Sequence, residues 1–107
     1  AVGYDIQSVE LDKTKRYIEV KTTVSSKKIN YFNFHLTPNE WDTASTLQNS
    51  YFVYRLSITK LGTELRMLRN PVGLYKQDKI TMSPRDGVDI KFNDKISETA
   101  KLLLWEN

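Results

Sequence analysis

The stretch Leu36-Thr37-Pro38-Asn39-Glu40-Trp41 constrains this chain more than any other, because it has the chemistry of a helix start. Thr37 can accept a free amide proton of the first turn as N-cap, and Pro38 suits the first helical position. Glu40 can reach back to the cap in a capping box, while Leu36 and Trp41 suit a hydrophobic staple. The spacing predicts a helix over 38–48 with Trp41, Ala44 and Leu47 or Gln48 turned inward, ending near Gln48-Asn49-Ser50. Both flanks read as strands. Ile29 to Leu36 places Phe32, Phe34 and Leu36 on one face, and Tyr51 to Ile58 is dense in β-formers. A strand at 51–58 that follows a helix is expected as a crossover, parallel to the first strands of the chain. Phe52, Tyr54, Leu56 and Ile58 fall on one of its faces and Tyr51, Val53 and Arg55 on the other, as in a strand covered on two sides.

Upstream, Gly3-Tyr4-Asp5-Ile6 and Arg16-Tyr17-Ile18-Glu19-Val20-Lys21 have the β-branched and aromatic enrichment of strands, and the polar run from Leu11 to Lys15 joins them as a hairpin. With the segment ending at Leu36 they would form an antiparallel meander. Side chains repeat every second residue along a strand, so Glu19 and Lys21 point one way and Ile18, Val20 and Thr22 the other. If Asp5 shares the face of Glu19, two carboxylates and an ammonium converge on one patch. Such a pair can hold a hard divalent cation through oxygen, and a neighbouring lysine can orient or deprotonate an attacking water.

This constellation resembles the PD-(D/E)XK, or restriction-endonuclease-like, nuclease superfamily, with Asp5 as the first acid and Glu19-Val20-Lys21 as the E-x-K element. A more specific resemblance takes in Gly-Tyr-Asp-Ile at 3–6, Arg-Tyr-Ile-Glu-Val-Lys at 16–21, Leu-Thr-Pro-Asn-Glu-Trp at 36–41 with Ala44, and Tyr-Phe-Val-Tyr-Arg-Leu at 51–56. Together these look like the largely uncharacterised domain at the C-terminus of No Vein proteins, whose relatives are attached to helicases, ATPases and restriction-type defence proteins. The resemblance implies a mixed α/β (α+β) domain with a restriction-endonuclease-like core: an N-terminal meander, the crossover helix, the strand at 51–58, and a C-terminal hairpin and helix. It implies catalytic Asp5, Glu19 and Lys21, with Mg2+ or Mn2+ held by Asp5, Glu19 and the Val20 carbonyl, and a nucleic-acid substrate, DNA in the first instance. Asn39 and Glu40 become signature positions beside that site, although capping accounts for Glu40 without any chemistry. Arg55 reads either as a phosphate contact or, with more weight, as the partner of a carboxylate of the same fold.

The remaining chain adds support rather than chemistry. At 107 residues it is expected to be one domain, 1–107, and its opening at Ala1-Val2-Gly3 without an initiator Met suggests a piece of a longer multidomain polypeptide; the helix that the nuclease-like resemblance implies before the first strand either lies outside this sequence or is dispensed with. The absence of cysteine rules out disulfides and thiolate metal sites and suits an intracellular protein, cytoplasmic or nuclear. No apolar run approaches the roughly twenty residues of a membrane span. Sixteen basic against thirteen acidic residues give a charge of +3, which permits a nucleic-acid partner without requiring one. Lys13, Lys15 and Arg16, then Lys27 and Lys28, lie where a phosphate backbone would pass. Glu64 to Arg69 is ambiguous between helix and strand. The segments 79–82 and 88–92 flank the turn chemistry of Ser83-Pro84-Arg85-Asp86-Gly87 and form a hairpin. Ile96, Ala100, Leu103 and Leu104 have helical spacing in the tail. The lone His35 faces away from its apolar neighbours as an ordinary sheet residue, and Asp86 and Asp89 lack the spacing of a calcium loop. Three classes of function stay open: a metal-dependent nuclease, a nuclease-like module that binds nucleic acid or protein without cutting, and a structural domain in which Glu19 and Lys21 are a surface ion pair.

Overall fold

The computed structural model describes residues 3–9, 12–26 and 33–101. Ten regular elements follow one another along these residues. They are β1 (Ile6–Val9), β2 (Lys15–Val24), β3 (Asn33–Leu36), α1 (Pro38–Leu47), β4 (Tyr51–Thr59), β5 (Gly62–Arg69), α2 (Pro71–Lys76), β6 (Ile80–Pro84), β7 (Val88–Phe92) and β8 (Glu98–Lys101). One sheet runs β1-β2-β4-β5-β8 and the other β3-β7-β6. This is a mixed α+β domain made mainly of sheet. Among the described residues no helix is long and apolar enough to cross a membrane.

The capping box forms as the sequence predicts: Thr37 Oγ1 accepts from the Glu40 amide at 3.2 Å, and Glu40 Oε1 accepts from the Thr37 amide at 2.9 Å. Ala44 is fully buried, with Trp41 and Leu47 packed against the same core. The crossover follows. β4 lies parallel to β2 with Glu19 opposite Val53 and Lys21 opposite Arg55, while β1, β5 and β8 are each antiparallel to their neighbours. Alternation then separates two faces of the large sheet. One carries Tyr17, Glu19 and Lys21 with Tyr51, Val53 and Arg55, and its Tyr51, Val53 and Leu68 join Ala44 of α1, Val72 of α2 and the inner side of the small sheet in the main core. Ile18, Phe52, Leu56 and Leu65 are buried on the opposite face. The strand at 51–59 is therefore covered on two sides, as its composition predicts.

Two expectations are corrected and one ambiguity is resolved. The third strand does not continue an N-terminal meander: β3 leaves the first sheet and pairs antiparallel with β7, because Phe34 and Leu36 bury their side chains against Ile90 and Val88 in the core between the sheets. The ambiguous run at 64–69 is a strand, since the short turn at Lys60-Leu61, closed by Gly62 at φ +131°, returns the chain directly along β4. The tail is not a helix over its described part. A 3-10 turn at Asp94–Ile96 leads into β8, which supplies partners to the free backbone groups along β5. Leu103 and Leu104 lie outside the described residues. The hairpin of β6 and β7 forms where its turn chemistry predicts it. Pro71 at the first position of α2 and Asn70 as its cap, accepting from the Gly73 amide at 3.0 Å, start the second helix.

Candidate active site

The site is assembled from the entrance to β1, the middle of β2 and the first turn of α1. Gly3 sits at φ +80° against α1, where a Cβ would lie 2.1 Å from Thr43 Oγ1, so only a glycine passes there without displacement. The buried Tyr51 hydroxyl donates to the Gly3 carbonyl at 2.8 Å and anchors the entering chain. Two residues on, the Asp5 amide donates to the Ile18 carbonyl at 2.8 Å, and Asp5 Oδ2 accepts from the Val20 amide at 2.8 Å. Asp5 is thus bound at the centre of β2, alongside Glu19 and Lys21.

Glu19 is 5% exposed. Its burial, the nearby Glu40 carboxylate and, more weakly, Asp5 push its carboxyl up to about 7 against the opposing pull of Lys21. Lys21 Nζ lies 2.9 Å from Glu40 Oε1 and 3.4 Å from Glu19 Oε2. Burial also works against ionisation of Glu40, but the Thr37 amide and Lys21 outweigh it and hold Glu40 below the usual carboxylate range. A proton shared between the Glu19 and Glu40 side chains adds to the rise of the one and the lowering of the other. As pH rises Glu40 therefore ionises before Glu19, with the lysine close to both, and such a pair titrates as one unit. The Tyr51 hydroxyl is itself held far above its ordinary range, first by burial and then by Glu19, Glu40 and Asp5. Glu40 therefore does both jobs that its sequence position allows, capping α1 and binding Lys21.

The other sequence-derived candidates separate into groups. Val20 contributes its amide to Asp5, and its side chain is on the far face. Asn39 stands exposed in the first turn of α1, with its carbonyl accepting from Thr43 Oγ1 at 2.8 Å. Arg55 lies in register beside Lys21 and finds no carboxylate among the described residues: Nε donates to the Asn33 carbonyl and Nη1 to the Lys21 carbonyl, each at 3.0 Å. This corrects the expectation of a carboxylate partner. Lys13 and Lys15 are exposed at the start of β2, with Lys15 four residues before Glu19, roughly 13 Å along a strand. Arg16 is not beside the acids. It turns to the opposite face, its guanidinium 4.1 Å from the centre of the Phe52 ring and bonded to the Tyr54 hydroxyl. Lys27 and Lys28 lie outside the described residues. Tyr51 is the neighbour of these acids that sequence reasoning passes over, and its signal is its position on the same face of β4 as Val53 and Arg55.

A surface ion pair does not describe Glu19 and Lys21, because exposed pairs keep ordinary carboxylate behaviour and this one is buried. The donor set suits a hard cation. Carboxylates crowded enough to raise Glu19 are the arrangement that a divalent ion relieves, and Mg2+ is commonly held by one or two carboxylates with water completing its shell. Among the described residues no three acidic, histidine or cysteine side chains are gathered for a fully protein-bound ion.

Residues 1–69 match the family described as Protein NO VEIN, C-terminal. The chain belongs to the NO VEIN C-terminal family. Similarity extends beyond that segment: Protein NO VEIN of Arabidopsis thaliana is 32% identical over 94 residues, covering 83% of this chain. The chain spans only 3% of the length of that relative. No solved structure matches. The family segment contains Gly3, Asp5, Glu19, Lys21, Glu40, Tyr51 and Arg55, so every residue of the acidic site lies within it.

Proposed function

We propose that this NO VEIN C-terminal domain is a nuclease-like domain of the PD-(D/E)XK type that hydrolyses phosphodiester bonds of nucleic acid, DNA in the first instance, with Mg2+ or Mn2+, as part of a larger protein. The observation that carries this reading is the meeting of Asp5, the buried Glu19 and Lys21 on β2. Asp5 and Glu19 are the residues to hold the metal, which when bound supplies charge neutralisation at the phosphate and a more acidic water. Glu19, with its carboxyl near 7, can give up its proton at neutral pH once a cation compensates the second charge. Lys21 supplies an ammonium at the same point, to orient a phosphate oxygen or an attacking water. Glu40 acts through Lys21, holding it at 2.9 Å, and is a positioning residue.

Plasmid and single-stranded DNA are incubated with the longer parent protein in Mg2+ or Mn2+, comparing wild type with Glu19→Gln and Lys21→Ala. Metal-dependent cutting that both substitutions abolish, in variants that still fold, is the expected result. Cutting indifferent to both sinks the assignment. A module that binds nucleic acid or protein without cutting is the second reading, favoured by the Lys21 ammonium standing between the two glutamates where a cation would sit. It requires nucleic-acid or partner binding that persists in chelator and in the Asp5→Ala variant.

A further inference from the structure

Register places three cations in one row across the inner face of the large sheet. Lys21 of β2 lies opposite Arg55 of β4, and Arg55 lies opposite Arg66 of β5. Strands stand about 4.8 Å apart, so the row spans about 10 Å from Lys21 to Arg66. The three are not equivalent. Lys21 is bound to two carboxylates, and Arg66 lies 3.6 Å from Glu64. Arg55, the middle member, is 9% exposed and has no carboxylate partner among the described residues. Its two recorded hydrogen bonds go to backbone carbonyls, which are neutral and leave three of its five N–H donors for another acceptor. Burial alone draws its proton affinity below the ordinary value, with no opposing anion.

Such an arrangement is costly unless it serves something. Buried charges are normally paired, and like charges directly opposite each other on neighbouring strands repel. A guanidinium is a planar fork of donors matched to two oxygens of one phosphate. The carbonyls of Asn33 and Lys21 fix that fork in place without neutralising it.

We infer that the Arg55–Arg66 pair is a phosphate site for the backbone of a nucleic-acid strand, one strand spacing from Lys21 and the acidic pair. The site goes beyond the proposed cleavage. It needs only that a strand binds, and it gives that strand a direction across the sheet, from the acids at β2 towards β5.

The experiment measures anisotropy of a labelled single-stranded oligonucleotide on the longer parent protein, in chelator and across a series of KCl concentrations, so that cleavage plays no part. Wild type is compared with Arg55→Lys and Arg66→Gln, each with its thermal midpoint recorded. Each folded variant is expected to bind about five- to tenfold more weakly whatever the base sequence, and Arg66→Gln, which removes a charge, to lower the slope of log affinity against log salt by about one. Arg55→Lys retains a charge but loses the fork. If it does not fold, Arg66→Gln decides alone. An unchanged slope in Arg66→Gln with an unchanged affinity in folded Arg55→Lys overturns the site and leaves Arg55 as a clamp on two carbonyls. Inorganic phosphate that protects Arg55 equally well, with no dependence of affinity on oligonucleotide length, overturns the strand in favour of a free anion. A slope that falls in a protein that never cuts DNA supports this site and counts only against the nuclease reading.

Discussion

Glu19 and Asp89 are both carboxylates with a basic side chain close by, yet their proton affinities move in opposite directions. Asp89 on β7 receives Arg85 Nε at 2.7 Å and His35 Nδ1 at 2.7 Å, and these two hydrogen bonds hold it below the usual carboxylate range. His35 also meets the Asp86 carbonyl through Nε2 at 3.1 Å, which ties β3 to the hairpin turn. Glu19 has Lys21 at 3.4 Å and still rises to about 7. The difference is the environment of each pair. Glu19 is buried and its cation is shared with a second carboxylate, whereas Asp89 is open to water and faces two basic groups without a competing acid. A cluster of charges becomes chemically poised through desolvation and like-charge crowding, and ion pairing alone leaves it a surface link.

The largest expected difference between the two clusters is in activity. Under the nuclease reading Glu19→Gln lowers metal-dependent cleavage by at least about 100-fold, while Asp89→Asn leaves the rate unchanged. Equal losses in the two variants would erase the distinction between a poised and a merely paired carboxylate.

Stability against pH comes next. The folded Glu19 keeps its proton up to about 7, while an unfolded glutamate loses it near 4.5. Between those values the folded state binds more protons, so stability falls as pH rises through the window and levels off above it. Glu40 acts with the opposite sign, and its contribution is lost only as pH falls below the ordinary glutamate range. Denaturant unfolding from pH 5 to 8 is therefore expected to show a decline of about 2–3 kcal/mol in wild type that Glu19→Gln removes. A decline that persists in the variant places the titrating group elsewhere.

Gly3→Ala tests the anchoring of Asp5. Its φ of +80° and the predicted clash with Thr43 Oγ1 are expected to cost about 1–3 kcal/mol of stability. Thr37→Ala, which removes the cap of α1 and disturbs the seat of Glu40, is expected to cost about 1 kcal/mol by the same measurement. The smallest effect belongs to the exposed cluster. Arg85→Ala is expected to leave the denaturation midpoint within experimental scatter, and a large loss would show that the His35–Asp89–Arg85 contacts hold the two β elements together.

Local chemistry explains which parts were legible beforehand. The capping box and the hairpin of β6 and β7 depend on neighbours within a few residues, and the crossover to β4 on the rule that a strand after a helix returns parallel; all three form as read. The alternation on β2 correctly assigns Glu19 and Lys21 to one face. β3 and the tail were misplaced for a shared reason: strand propensity does not say which sheet a strand joins, and the spacing of Ile96 and Ala100 cannot weigh the unpaired edge of β5. Arg16 lies on the face opposite the acids although it is close to Glu19 in sequence, since one step along a strand moves a side chain to the other face.

The sequence by itself determined the elements that carry the site, the face of β2 that bears it and the helix start that delivers Glu40, because hydrogen bonds and side-chain periodicity within a segment are local. Only the tertiary structure decided that Glu19 is buried, that Glu40 and Lys21 meet, and that Arg55 lies between Lys21 and Arg66 without an anion. Burial and cross-strand register are properties of segments distant in the chain, and desolvation, which turns these charges from solvated groups into a poised site, exists only once those segments have packed.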